Sequence, residues 1–206
     1  MDTGHHPWPS RYAALVTDWV NIRPVELFSI GHSTHSLEEL LCPLDGHEIT
    51  QLADIRTMPR SRRWPHFGTD RLTTSLPAHG IEYVHLPALG GWRRPVENSP
   101  NGGWHNSSFQ GYADYALTED FAEGLAELCG LARARSTAMM CSEGLWWRCH
   151  RRIVADRLVV AGSDVFHVGP DGRTTRHALP DFARVRPDGR VVYPPRDQAQ
   201  LSILAT

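Results

Sequence analysis

A chain of 206 residues, 41% hydrophobic and 21% charged, has the composition of one globular domain and is too short for two of ordinary size. Its formal net charge of −2 excludes a generally basic nucleic-acid coat but leaves room for a local basic cleft. No run approaches the roughly 20 apolar residues that span a bilayer, so no membrane role is expected.

All 21 basic side chains are arginines. The four cysteines, Cys42, Cys129, Cys141 and Cys149, are too few for a disulfide scaffold at this length, which suits a reducing compartment. The first twenty residues lack the charged and apolar regions of a secretory signal, and a cytoplasmic location is the resulting expectation.

Residues 1–24 read as an N-terminal extension. The run "VELFSI" predicts a strand at about Val25–Ile30. A turn at Gly31-His32-Ser33-Thr34 follows, then a helix that Ser36 caps, with Glu39 completing a capping box. "ITQLADIR" predicts a second strand, ending in Asp54 and Arg56 before the loop "TMPRSRRWPHFGTD". "RLTTSLPAHG" predicts a short helix closing at Gly80, with an irregular last turn at Pro77. "IEYVHLPALGG" predicts a third strand running into "GGWRRPVENSPNGGWHNS", a loop too long for a simple connector. Helical spacing then covers "FQGYADYALTEDFAEGLAELCGLARA" in two pieces. "STAMMCSE" predicts a buried fourth strand, "CHRRIVADRLVVAG" a helix and "SDVFHVGP" a fifth strand. The alternation predicts an α/β fold: a single domain over residues 25–169, with a mostly parallel, roughly five-stranded sheet flanked by helices. Residues 170–206, with two Pro-Asp-Gly-Arg turns and one short strand "RVVY", read as a short irregular C-terminal appendage, either a tail or a small hairpin packed on the domain.

In open parallel sheets, ligands bind beyond the carboxyl ends of the strands, and the chemically active residues fall there. His32 and Ser33 follow the first strand. Asp54, Arg56, Ser61 and Arg62 follow the second, and Trp92 the third. Cys141 and Glu143 end the fourth, and Trp147, Cys149, His150 and Arg151 lead into the next helix. Guanidinium forks and a helix N-terminus both favour anions, and loop indoles suit stacking on a flat ring. Any one of these arginines is ordinarily a solvated surface group, and any one of these tryptophans a cap on the core. Their clustering carries the expectation.

The stretch "CSEGLWWRCHRRIVAD" (141–156) admits three chemistries. Cys141, Cys149 and His150, with His32, have the atom types of a metal site, but the eight-residue spacing of the thiols matches no common zinc knuckle, so no metal ligand is nominated and no cofactor is expected. A strand-end thiol with an arginine seven positions on resembles the anion-cradling loops of rhodaneses and cysteine phosphatases, with Cys141 as nucleophile. Those loops are shorter and richer in glycine. In the third chemistry Glu143 and Asp54 are the acid–base or electrostatic groups, the arginines and His150 bind an anion, and the thiols serve packing.

The blocks "SIGHSTHSLEELL", "LADIRTMPRSRRWPHF", "GIEYVHLPALGGWRRP", "SPNGGWHNSSFQGYADYALTEDFAEGL" and "AMMCSEGLWWRCHRRIVADRLVVAGSDVFHV" resemble, from about Phe28 to Val168, the family called domain of unknown function 488. The resemblance implies an α/β fold. It also implies signature positions at Gly31, His32, Ser33, Asp54, Arg56, Pro59, Ser61, Arg62, Cys141, Glu143, Cys149, His150 and Arg151. The family assigns no reaction to them.

The residues themselves lead to an enzyme that binds a phosphate-bearing small molecule or nucleic acid and hydrolyses a glycosidic or similar bond. Glu143, Asp54, His32 and Cys141 are the candidate catalytic groups. Ser33, Arg56, Ser61, Arg62, Trp92, Trp147, Cys149, His150 and Arg151 are the candidate binding groups. Thiol chemistry at Cys141 and a non-catalytic nucleotide, nucleic-acid or metal-binding module are the alternatives.

Overall fold

Strands form where short apolar runs lie between turn residues. In the computed structural model, which describes residues 23–60 and 63–195, five of them lie parallel: β1 (Glu26–Gly31), β2 (Gln51–Asp54), β3 (Glu82–His85), β4 (Thr137–Cys141) and β5 (Asp164–Val168). A sixth, β6 (Thr174–Arg176), adds antiparallel to β5, giving the order β3-β2-β4-β1-β5-β6. The main sheet therefore takes one strand from the segment expected to form an appendage. Most of the N-terminal extension and residues 196–206 lie outside the described residues.

The helices are α1 (Leu37–Gly46), α2 (Thr69–Ser75), α3 (Ser107–Tyr115), α4 (Glu119–Ala134) and α5 (Arg151–Val160). Ser36 caps α1 through the amide of Glu39, whose carboxylate accepts from the Ser36 amide, completing the expected capping box. A 3-10 turn over Leu76–His79 follows α2 and ends on Gly80 at φ 72°, the left-handed cap that glycine adopts without strain.

Residues in register on neighbouring strands project to the same face, and successive residues to opposite faces. Ile30, Leu52, Ala138 and Met140 face α1 and α2, packing with Leu40, Leu44 and Leu72. Leu27, Ala53, Met139 and Cys141 face the other way, with Tyr112 of α3, Leu125 of α4 and Ile153 of α5. Two apolar cores thus sandwich the sheet, and all five residues of β4 are buried.

The chain then closes with a hairpin of β7 (Arg184–Val185) and β8 (Val191–Val192). Gly172 and Gly189, the third residues of the two Pro-Asp-Gly-Arg turns, both take left-handed φ, 75° and 76°. Among the described residues no helix is long and apolar enough to cross a membrane.

Candidate functional site

The central strand β4 lies between β1 and β2, and the three chains stay bonded beyond their strands. The His32 amide donates to the Cys141 carbonyl, that of Ser33 to Ser142, and that of Ile55 to Met140, each at 3.0 Å. After Glu143 the backbone folds through a 3-10 turn (Trp146–Arg148) into α5. The mouth so formed is a cleft of about 420 Å³ lined by Arg56, Thr57, Met58, Gly91, Trp92, Asn106, Ser108, Phe109, Cys141, Ser142, Glu143, Arg148, Cys149 and His150. A second depression shares Arg56, Met58, Ser142 and Glu143 with it and adds His32, Ser33, Thr34, Arg60, Trp64 and Gly144.

Two thiols and an imidazole converge on the cleft floor. His150 Nδ1 lies 3.8 Å from Cys141 Sγ and 3.7 Å from Cys149 Sγ. Its Nε2 lies 3.1 Å from the Ile55 carbonyl, which only accepts, so Nε2 carries the proton and Nδ1 is turned to the sulfurs. Tyr112 packs edge-on against this ring. A Cβ at Gly91 would sit 2.6 Å from Nδ1, so a glycine is needed there for the loop to approach. Cys149, donating its S–H, holds the Cys141 thiol well below the ordinary range, aided by His150 and Arg151 and opposed by burial. Burial, and then its bond to Cys141, hold Cys149 well above that range. The ligand atoms of Cys141, Cys149 and His150 all lie within 4.8 Å of one another, an arrangement that can hold a metal ion.

Asp54 and Arg56 form a separate network. Arg56 donates from Nε to Asp54 Oδ1 at 2.8 Å, from Nη2 to Oδ2 at 2.5 Å and to the Phe67 carbonyl, while Tyr83 donates its hydroxyl to the same carboxylate. Nη1 of Arg56 bonds His32 Nε2 at 3.1 Å. Since a guanidinium only donates, Nε2 accepts, and His32 Nδ1–H donates to the Ser33 carbonyl. Burial, then the charge of Arg56, push the His32 pKa down to about 4. Its ring stacks on Phe67.

The expected residues therefore divide. Glu143, Cys141, Cys149, His150, Arg56 and Trp92 share the cleft; His32 and Ser33 line the adjoining depression. Asp54 is fully buried, on the face of Met140 rather than that of Cys141. Arg151, expected to reach an anion, is also fully buried. Its guanidinium holds Ser29 Oγ, the Glu143 carbonyl and Cys149 Sγ, at 3.1, 2.5 and 3.4 Å. It positions the loop instead. Gly31 leaves it room, because a Cβ there would meet the Glu143 carbonyl. Trp147 is exposed, edge-on to Trp146, and lines neither depression. Ser61 and Arg62 lie outside the described residues.

The cleft also contains residues that sequence reasoning did not nominate: Thr57, Met58, Asn106, Ser108 and Phe109. Asn106 caps α3 by accepting from the Ser108 amide, so "HNSSF" marked the helix start without revealing that it meets the cleft. Residues 36–158 match the model of the family described as Domain of unknown function DUF488. The chain belongs to this family. The DUF488 match takes in Asp54, Arg56, Cys141, Glu143 and the Cys149-His150-Arg151 run, and leaves His32 and Ser33 of the first strand-loop unit outside it. No curated protein and no solved structure matches the chain.

Proposed function

We propose that the cleft at the carboxyl edge of β1, β2 and β4 is an active site for a phosphate-bearing, nucleotide-like or nucleic-acid substrate, in which Glu143 moves the proton during hydrolysis of a glycosidic or similar bond. One observation carries this reading. Of the two carboxylates in question, Glu143 lines the cleft, while Asp54 is occupied by Arg56 and Tyr83 inside the fold. The Leu145 amide donates to Glu143 Oε1 at 3.1 Å, orienting the carboxylate. Trp92, 76% exposed, offers a flat ring at the rim, and Arg148 a cation.

Assay of the full chain against nucleosides, nucleotides and single- and double-stranded nucleic acids, with chromatography for released base, tests the reading. Glu143→Gln should lower kcat by about 10²- to 10⁴-fold with the fold intact. Trp92→Ala should raise KM and leave kcat nearly unchanged. A Glu143→Gln protein with undiminished turnover would falsify the reading.

A second reading has its own observation. The thiol of Cys141 is held toward thiolate at a strand end facing the cleft, as a nucleophile requires. If it holds, iodoacetamide labels Cys141 in preference to Cys129 below the ordinary thiol range, and a covalent adduct on Cys141 appears by mass spectrometry during turnover. Turnover without an adduct favours Glu143.

A further inference from the structure

We propose that Cys141 Sγ, Cys149 Sγ and His150 Nδ1 bind one zinc-class cation and leave its fourth coordination position open to the cleft. The three ligand atoms have tetrahedral spacing. A tetrahedral ion with Zn–S of about 2.3 Å and Zn–N of about 2.0–2.1 Å places its sulfur and nitrogen ligands about 3.6 Å apart and its two sulfurs about 3.8 Å apart. The nitrogen lies 3.8 and 3.7 Å from the sulfurs, and all three atoms fall within 4.8 Å. Small side-chain rotations suffice to close the site.

The groups around the three ligands also suit a metal. A histidine that ligates a metal characteristically donates its other ring N–H to a carbonyl or carboxylate, which fixes the ring. His150 does this to the Ile55 carbonyl. Arg151 Nε donates to Cys149 Sγ at 3.4 Å, a bond that stabilises a thiolate and aims it. Two soft sulfurs and an imidazole select zinc-class ions over magnesium or calcium.

The long interval between the thiols is explained by the fold. Cys141 ends β4, Cys149 and His150 open α5, and the 3-10 turn between them brings the chain back on itself. A knuckle encloses its ion with local turns; here a strand end and a helix start meet across a loop.

Three protein ligands with one open position is the arrangement of catalytic rather than structural zinc. The role of that position rests on the hydrolytic reading above; binding of the ion does not. A water held there loses a proton to the Glu143 carboxylate, leaving hydroxide on the ion. The hydroxide oxygen bonds to the anomeric carbon as the bond to the base breaks. The base leaves with the electron pair and takes the proton from Glu143.

The test uses the reduced full chain. Elemental analysis should find one zinc per chain, and cobalt(II) alone, added to the chelator-stripped protein, should give sulfur-to-cobalt charge-transfer and tetrahedral d–d bands. Cys141→Ser or Cys149→Ser should remove about half of the charge-transfer intensity and weaken zinc binding more than about a hundredfold. Cys129→Ser, at a buried thiol of α4, should change neither. Should the ligand variants fail to fold, X-ray absorption at the zinc edge of the wild-type protein decides, with two sulfurs and one imidazole expected. A reduced wild-type protein with no charge-transfer band, a band undiminished in both serine variants, or a zinc edge without sulfur would overturn the site. Hydrolysis by the metal-free protein would overturn the catalytic role of the open position, while leaving both the binding of the ion and the Glu143 reading standing. Stoichiometric zinc on a chain that hydrolyses no nucleotide-like substrate would support the site and overturn that reading.

Discussion

His32 illustrates how one buried ring ties stability to pH. Its Nε2 accepts from Arg56, so protonation both removes the acceptor and sets two cations against each other. The folded ring titrates at about 4 against 6.5 for the ordinary group, so the unfolded chain binds more protons between those values. Stability is complete above pH 6.5 and is lost as pH falls toward 4. At about 1.4 kcal/mol per pH unit the total is on the order of 3 kcal/mol. His32→Gln should therefore be less stable than wild type at pH 7.5 and show a shallower fall of Tm from pH 6.5 to 4. Equal slopes for the two proteins would exclude His32 as a source. Residue types at this sheet edge were legible in the sequence, but their grouping was not. Asp54 pairs in register with Met140, while Cys141 is the next residue along β4, so the two project to opposite faces. Alternation within each strand is visible in the letters. The register that joins strands more than eighty residues apart is not.

Among the elements, the loop from Gly90 to Asn106 most needs an explanation, since it carries Trp92 at the cleft rim without sheet or helix of its own. Asp114 of α3 supplies the order. Its carboxylate accepts from the Val96 amide at 2.9 Å, from Ser99 Oγ at 2.5 Å and from Asn101 Nδ2 at 2.8 Å. Asn101 in turn accepts the Tyr193 amide, and the Gly103 amide donates to the Tyr193 carbonyl. Gly111 lets the loop pass against α3, because a Cβ there would meet the backbone of Arg93, Arg94 and Pro95. Asp114→Ala leaves three donors without their acceptor and should destabilise the protein by about 2–4 kcal/mol. Denaturant unfolding gives that figure, and hydrogen exchange of residues 93–104 should rise more than that of β4. Equal protection in both segments would mean that the loop holds itself. Local signals made the elements readable: the Ser36–Glu39 box, Gly80, and the helical spacing of α4. The order inside the loop left no such mark, since one aspartate in the last turn of α3 gathers partners 13 to 18 residues earlier and no period reveals it.

At the scale of the molecule, the segment after β5 fastens the second core. His177 Nε2 bonds Asp156 Oδ1 at 2.7 Å, and the Tyr193 hydroxyl donates to Oδ2 at 2.5 Å. His167 Nε2 lies 2.9 Å from His177 Nδ1, and Trp146 stacks on the His167 ring at 4.1 Å. Asp156 lies on α5, the helix that begins beside His150, so one buried carboxylate links the closing segment to the helix carrying the site. The neutral form of His167 is enforced by burial and then by His177, which push its pKa down to about 2; burial and Asp156 hold the Tyr193 hydroxyl well above its usual range. The sequence marked residues 170–206 as an appendage because their Pro, Asp and Gly content resembles a surface tail, and nothing local ties His177 to Asp156. Asp156→Ala deprives both donors of their buried acceptor and should cost about 3–5 kcal/mol, with earlier proteolysis between residues 170 and 190. The effect should also reach the cleft. Tyr193 holds Asn101 and Gly103 in the loop that carries Trp92, so a loosened segment should raise KM more than it lowers kcat. A variant with lowered Tm, early proteolysis and an unchanged KM would show that the segment braces the core without setting the shape of the cleft.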